Sequence, residues 1–460
     1  MVAVVRTELR RTIAPWMALV VVLVGLGFFF AFVRYGPWFK EPAAWDGQWA
    51  ASVQWTRYLL VLLWPIIVGA SAIQGMRDRR SGTVELLAAT PRPARYRLTK
   101  LSFALGLAAV LAYVVILLTG LAQVVAHDGL FTFGWVLPAL VGSTTVVAGV
   151  GLGLGAGRVL PHPVTAPVLT VAALVGCLLF QFSSGPGSVV SGLLPNRLAL
   201  LSVAPDAPRS PFLVPAVTVS AGQLCWLAGL AATGFLLLAA ATARRRLLAL
   251  LPVVAGLAIA LSLFPASPAG YLTVDQAAAT PVCDGPVCVT KMHAARLSTL
   301  AGPGKEALRR LAKIPGAPTG VVEATDPART TARLAGPQDP SKIVVHLDDG
   351  PYLSRRGDDL VTELTAGGGT QACGGPSYGG LRESREAAAR WVVSAWLSEG
   401  RKRPRMSTYY QRLPELAEPA WAGLKALPPQ EQVARVVAVR QAELSCQGDA
   451  LTALTQGAGR

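Results

Sequence analysis

No Gly-x-x-x-x-Gly-Lys-Ser/Thr loop occurs in this sequence. The chain therefore has no segment to cradle nucleotide phosphates, and any ATP hydrolysis must come from a partner. Neither His-Glu-x-x-His nor Gly-x-Ser-x-Gly is present, which removes two common hydrolase signatures. Charge is scarce as well. Asp, Glu, Lys and Arg make up 15% of 460 residues, and mean hydropathy is +0.46; that balance argues against a purely soluble protein. Acidic residues are the scarcer sign, 26 against 42 Lys and Arg, for a net charge of +16. Residues 1–265 hold 19 basic and 7 acidic residues, and residues 266–460 hold 23 and 19. The excess thus lies beside apolar runs, where it reads as membrane topology and lipid contact rather than nucleic-acid binding.

Seven apolar runs cover 13–33, 58–74, 101–125, 135–157, 164–182, 213–241 and 247–265. Each is near the roughly 20 residues that cross a hydrocarbon core. The first is too long for a signal-peptide core and has no small-x-small cleavage site after it, so it reads as a retained helix. Residues 34–56 carry Trp38, Trp45, Trp49 and Trp55 and read as an outer loop, part of it a helix lying on the surface. Pro65 breaks the second run. The fourth carries glycines at 149, 151, 153, 155 and 157, which suits close helix packing; with no Lys-Ser/Thr and no polar context it is not a phosphate loop. Residues 183–212 are Pro-rich with an apolar centre at 189–201 that fits a dip into the outer leaflet.

The runs hold Gln123, Gln181, Gln223, Ser143, Thr144, Thr145 and Thr170, but no Asp, Glu, Lys or Arg in a central position. Ion-coupled transporters and voltage sensors need ionisable groups there, so both are disfavoured. Segments assigned to the inner side hold 14 Lys and Arg; outer segments before residue 266 hold five, Arg34, Lys40, Arg57, Arg197 and Arg209. That bias puts the N-terminus inside and 266–460 outside.

Residues 77–101 interrupt the apolar pattern. They carry Arg77, Arg79, Arg80, Arg92, Arg95, Arg97 and Lys100 against Asp78 and Glu85. Within them, 82–90 has helix formers and is closed by Pro91 and Pro93. The wording Gly82-Thr83-Val84-Glu85-Leu86-Leu87-Ala88-Ala89-Thr90-Pro91, with Lys100-Leu101 opening the next helix, resembles the first cytoplasmic loop of ABC-2-type transporter permeases. The resemblance covers about residues 1–245. It implies a coupling helix that docks on a separate cytosolic ATPase, with Gly82, Thr83, Glu85, Leu86, Leu87, Thr90, Arg92 and Arg95 as docking residues. It also implies a second permease chain, identical or a sister, and short re-entrant helices between the last two spans. Six spans are usual for that family, so the run at 247–265 is a departure.

From 266 onward the composition is that of a soluble domain, long enough for its own core. Four of the six cysteines lie there, Cys283, Cys288, Cys373 and Cys446. On an oxidising exterior they form two disulfides. Three pairings exist, and Cys283–Cys288 with Cys373–Cys446 is favoured because the first two are close in sequence. A zinc site is the weaker alternative, since no Cys-x-x-Cys occurs and His293 is isolated. Strands are expected at 287–290, 320–324 and 342–347, helices at 305–313, 382–397 and 430–444, and a Gly-rich loop at 367–380. Trp391 and Trp396 share the apolar face of their helix and read as core.

The expectation is an all-α polytopic membrane bundle of 6 + 1 transmembrane helices, followed by an α+β disulfide-bonded extracytoplasmic domain. Its parts are 1–246 with the cytoplasmic coupling loop 77–100, a seventh helix at 247–265, and the soluble region 266–460. The chain reads as a permease subunit for a hydrophobic or amphipathic substrate such as a lipid, peptide or drug-like molecule. It has no cofactor of its own, contacts membrane lipids and binds no nucleic acid. High Ala, Gly, Pro and Arg usage points to a GC-rich bacterium and its plasma membrane. A competing reading is a membrane-anchored extracytoplasmic sensor or binding protein. A third, an outward-facing hydrolase, rests only on His346, Asp348 and Asp349.

Overall fold

The computed structural model describes residues 12–30, 48–80, 94–126, 129–183, 196–204, 212–267, 270–325, 338–347, 355–373, 381–400 and 413–456. The chain divides into two compact units, Met1–Asp275 and Gln276–Arg460.

The first unit is helical. Its helices are α1 (Ala14–Phe30), α2 (Trp49–Tyr58), α3 (Leu60–Arg80), α4 (Ala94–Ala126), α5 (Val136–Val159), α6 (Thr165–Ser183), α7 (Val217–Ala239), α8 (Ala243–Leu248) and α9 (Leu251–Leu263). Five segments are long and apolar enough to span a membrane: Leu60–Arg77, Leu98–Ala126, Phe133–Val159, Val217–Ala239 and Ala243–Leu263; Ala14–Phe28 and Thr165–Phe180 are shorter apolar helices. Their outer faces remain apolar. On α6 and just before it, Val164, Val168, Val171, Val175 and Leu179 form an exposed stripe at helical spacing, a surface that suits lipid and not water.

The ends of the bundle can be told apart. Strand β1 (Leu213–Pro215) precedes α7, and β2 (Leu272–Val274) follows α9; the two pair antiparallel. Gln54 donates to the Leu213 carbonyl at 2.8 Å, and Thr132 donates to Asp275 at 2.8 Å. The start of α7, the approach to α5 and the last residues of the unit therefore share one end. The C-terminus of α3 and the N-terminus of α4, which flank the basic stretch, lie at the other.

Two expectations need correction. The helix before the second run does not lie on a surface: Ala50, Ala51, Ser52, Val53, Gln54, Thr56 and Arg57 of α2 are all buried. The interruption at 77–100 is also shorter, because α3 runs on to Arg80 and α4 begins at Ala94. Hydropathy marks only the apolar part of a helix, and Arg, Lys and Met extend it readily. At the seventh run a short α8 leads into α9, and Ala243–Leu263 together is long and apolar enough to span a membrane.

The second unit is α+β. Strands β3 (Pro281–Asp284), β4 (Val287–Thr290), β5 (Gly320–Glu323) and β6 (Lys342–Val345) form one sheet in the order β3-β4-β5-β6. The β3–β4 hairpin is antiparallel and the other pairs are parallel. Gly285, at φ +61°, makes the two-residue turn possible. Strand β3 is absent from the sequence reading, since Pro281 and Asp284 dilute its pattern. Helix α10 (Leu297–Leu311) crosses from β4 to β5 and starts earlier than expected. It passes through Gly302-Pro303-Gly304, and Gly304 lets it approach Val287, which a Cβ there would meet at 2.7 Å. Val287, Val289, Val321, Ile343 and Val345 join one core with α10, α11 (Gly357–Thr365), α12 (Leu381–Leu397), α13 (Leu413–Ala426), α14 (Pro429–Ser445) and α15 (Ala450–Gln456). Trp391 belongs to that core and Trp396 packs against it.

Candidate functional site

Gly82, Thr83, Glu85, Leu86, Leu87, Thr90 and Arg92 lie outside the described residues, as do Asp348 and Asp349. Arg95 falls in the first turn of α4, at the end of the bundle where α3 closes. Beside that end is an apolar groove of about 490 Å³ between α4, α5 and α7. Leu98, Phe103, Val110, Val147 and Phe235 line its walls, and Thr99 and Ser102 give it a polar margin. An acyl chain or another apolar tail suits such a lining.

Helix α5 is the hub, and its alternating glycines explain why. Gly149, Gly153 and Gly157 face α3, where added Cβ atoms would collide with Trp64, Ser71 and Ala72. Gly151 and Gly155 face α7, against Ala231 and Gly234. Residues four apart share a face, and residues two apart lie nearly opposite. The i, i+2 run is thus two small-residue stripes, one for each neighbour. Trp64 Nε1 donates to the Thr145 carbonyl at 3.0 Å and ties α3 to α5.

From the sequence, Arg57 belongs with the outer loops, and no charged residue has a central position in an apolar run. The structure puts Arg57 inside the bundle, 1% exposed. One Nη donates to Gln223 Oε1 at 2.9 Å, and Gln223 in turn donates to the Leu200 carbonyl at 3.0 Å. Nε and the other Nη of Arg57 make no hydrogen bond, and neither does the buried Tyr113 hydroxyl. Both side chains crowd Gly142: a Cβ there would strike Tyr113 and lie 3.2 Å from Arg57 Cγ. Four helices, α2, α4, α5 and α7, thus meet around the Arg57 side chain. Sequence position hid it, because Arg57 sits at the edge of an apolar run and its burial comes from α2 folding into the bundle.

In the second unit, Cys283 bonds Cys288 and Cys373 bonds Cys446, the pairing favoured from sequence. Cys283 and Cys288 are direct cross-strand partners in the β3–β4 hairpin. With all four sulfurs in disulfides, no thiolate is left for zinc. His293 Nδ1 instead meets the buried Glu323 carboxylate, which also accepts the Thr290 amide at 2.7 Å. His346 follows β6, and no nucleophile is paired with it among the described residues.

Next to the Cys373–Cys446 bond, Glu443 is buried and meets Arg390 at 2.9 Å. Burial outweighs the attraction of Arg390, and neighbouring Glu386 adds to it, so Glu443 is pushed up to about 7. A carboxyl with a raised folded-state value holds its proton more tightly folded than unfolded. Stability therefore falls as pH rises from about 4.5, the ordinary value, through about 7. The expected loss is on the order of 3 kcal/mol. Thermal unfolding of the full chain across that window should show this slope, and Glu443→Gln should flatten it. An equal slope in the variant would mean that other groups set it.

No family model, curated protein or solved structure matches the chain.

Proposed function

We propose that this chain is the membrane-embedded permease subunit of an ATP-driven transporter of ABC-2 type, with ATP hydrolysed by separate cytosolic subunits. The observation that carries this reading is the Gly82–Pro91 wording between the ends of α3 and α4, two helices apolar enough to span a membrane. A helix held there would transmit a push from a docked ATPase to both. Glu85 would accept hydrogen bonds from the partner, and Arg92 and Arg95 would steer it. All seven apolar helices would cross or enter the bilayer, with the basic stretch cytoplasmic. The first unit ends at the opposite end of the bundle, so the chain would leave the membrane on the outer face of a bacterial plasma membrane. Disulfides in the second unit suit that oxidising side. A second permease chain would complete the translocation path, and the groove beside α4 favours a hydrophobic or amphipathic substrate.

The test is purification from native membranes in mild detergent. An ATPase should accompany the wild-type chain and be lost when residues 82–90 are replaced by a Gly/Ser linker. Glu85→Ala should weaken the association by about 10-fold or more, as loss of a charged hydrogen bond predicts. If no ATPase is recovered, the chain is better read as a membrane-anchored binding protein.

A further inference from the structure

Arg57 is a cation buried among helices with no anion beside it among the described residues. Among the described residues, its side chain hydrogen-bonds only the neutral Gln223 amide. No carboxylate pairs with it among the described residues. Taking a guanidinium out of water costs several kcal/mol unless a charge and hydrogen bonds compensate. Its position is over-determined nevertheless: α2 is buried along most of its length, Gln223 is fixed by Leu200, and Gly142 leaves space that any side chain would occupy. Gly142 and Gln223 each lie about 9 Å along the axis from the start of their helices, at 1.5 Å per residue. Arg57, Tyr113 and Gln223 are buried, and none of them lines the groove beside α4.

We infer that Arg57, Tyr113 and Gln223 form a binding site for an oxyanion, a phosphate or carboxylate group carried by a ligand that enters the bundle from the end opposite the basic stretch. Nε and one Nη of Arg57 have no partner; they lie on different edges of the guanidinium, so an oxyanion takes one of them as a charged donor. The Tyr113 hydroxyl supplies a second, and the Gln223 amide holds the guanidinium plane. A lysine would bring the charge without the planar group that Gln223 orients. A small-residue position at Gly142 keeps the two donors close. The inference does not rest on an ATPase partner; it stands or falls with these side chains.

The experiment uses the full chain in phosphatidylcholine nanodiscs. Thermal unfolding is followed with and without phosphatidylglycerol in the disc, and with inorganic phosphate or acetate added to plain discs. Wild type should be stabilised by at least one of these anions. Stabilisation only by phosphatidylglycerol identifies a lipid headgroup, and stabilisation by phosphate or acetate identifies a free oxyanion. Arg57→Met should raise the apparent dissociation constant at least about tenfold, with Arg57→Lys intermediate. Basic residues at the bundle ends remain in these variants, so lipid attraction there is unchanged. A merely structural arginine gives the opposite result: Arg57→Met stays folded, is as stable or more so, and responds to anions like wild type. If Arg57→Met does not fold, Tyr113→Phe decides, since it removes one hydroxyl; an unweakened response in that variant overturns the site. No stabilisation of wild type by any of the three probes overturns it as well.

Discussion

Gly234→Ala is expected to disrupt the helical unit, although it adds one methyl group. A Cβ at Gly234 would run into the backbone of Gly151 and Leu152 on α5. Backbone cannot rotate aside as a side chain can, so α5 and α7 would have to separate along their shared length. Overpacking of a side-chain core costs about 1–3 kcal/mol; contact between backbones should exceed about 3 kcal/mol. The unfolding midpoint in detergent should fall by roughly 10 °C or more. Gly155→Ala, which meets Gly234 from the other side, should behave the same way. Gly176→Ala is the control, because no atom lies within 4 Å of its Cβ position. Removing glycine from a helix interior at no steric cost should gain about 0.5–1 kcal/mol. Similar behaviour of Gly234→Ala and Gly176→Ala would mean that α5 and α7 do not approach as described.

The second large effect belongs to the Cys373–Cys446 bond. It joins residues 73 apart in sequence, whereas Cys283–Cys288 joins residues 5 apart. A cross-link removes more freedom from the unfolded chain when it closes a longer loop. The loop-entropy relation gives about 4.5 kcal/mol for the long loop and about 2 kcal/mol for the short one. Cys373→Ser with Cys446→Ser should therefore destabilise the second unit about twice as much as Cys283→Ser with Cys288→Ser. The long bond also holds the end of α14 beside the Gly-rich turn at 366–369, where Arg440 caps the Gly368 and Pro340 carbonyls. Limited proteolysis of the full chain across a denaturant series would measure both pairs, with cleavage of the second unit as the readout. Equal losses would show that native-state contacts, not chain entropy, dominate.

Much of the helical unit was legible because a bilayer-length apolar run has few alternatives. Runs at 135–157 and 164–182 became α5 and α6 with small shifts at their ends. The glycines in the first of these pointed to close packing, but not to two stripes on opposite faces; that needed both neighbours. Helix α2 was misread since its Trp residues resemble an interfacial belt, and only its partners show that Trp49 packs with Phe131 and Trp135 in a local cluster. In the second unit, β-branched runs marked β4, β5 and β6. Strand β3 carried too weak a pattern to stand without its hairpin partner.

The sequence by itself determined that this is a chain of apolar helices followed by a disulfide-bonded α+β unit. Composition and run length decide that, because they fix which segments can leave water. It also carried the Gly82–Pro91 wording on which the transport proposal rests. Tertiary structure alone decided that Arg57 is buried. Burial depends on which helices surround a residue, and α2, α4, α5 and α7 come from segments separated by up to 166 positions at the Arg57–Gln223 bond. A local pattern cannot encode a meeting between residues that far apart.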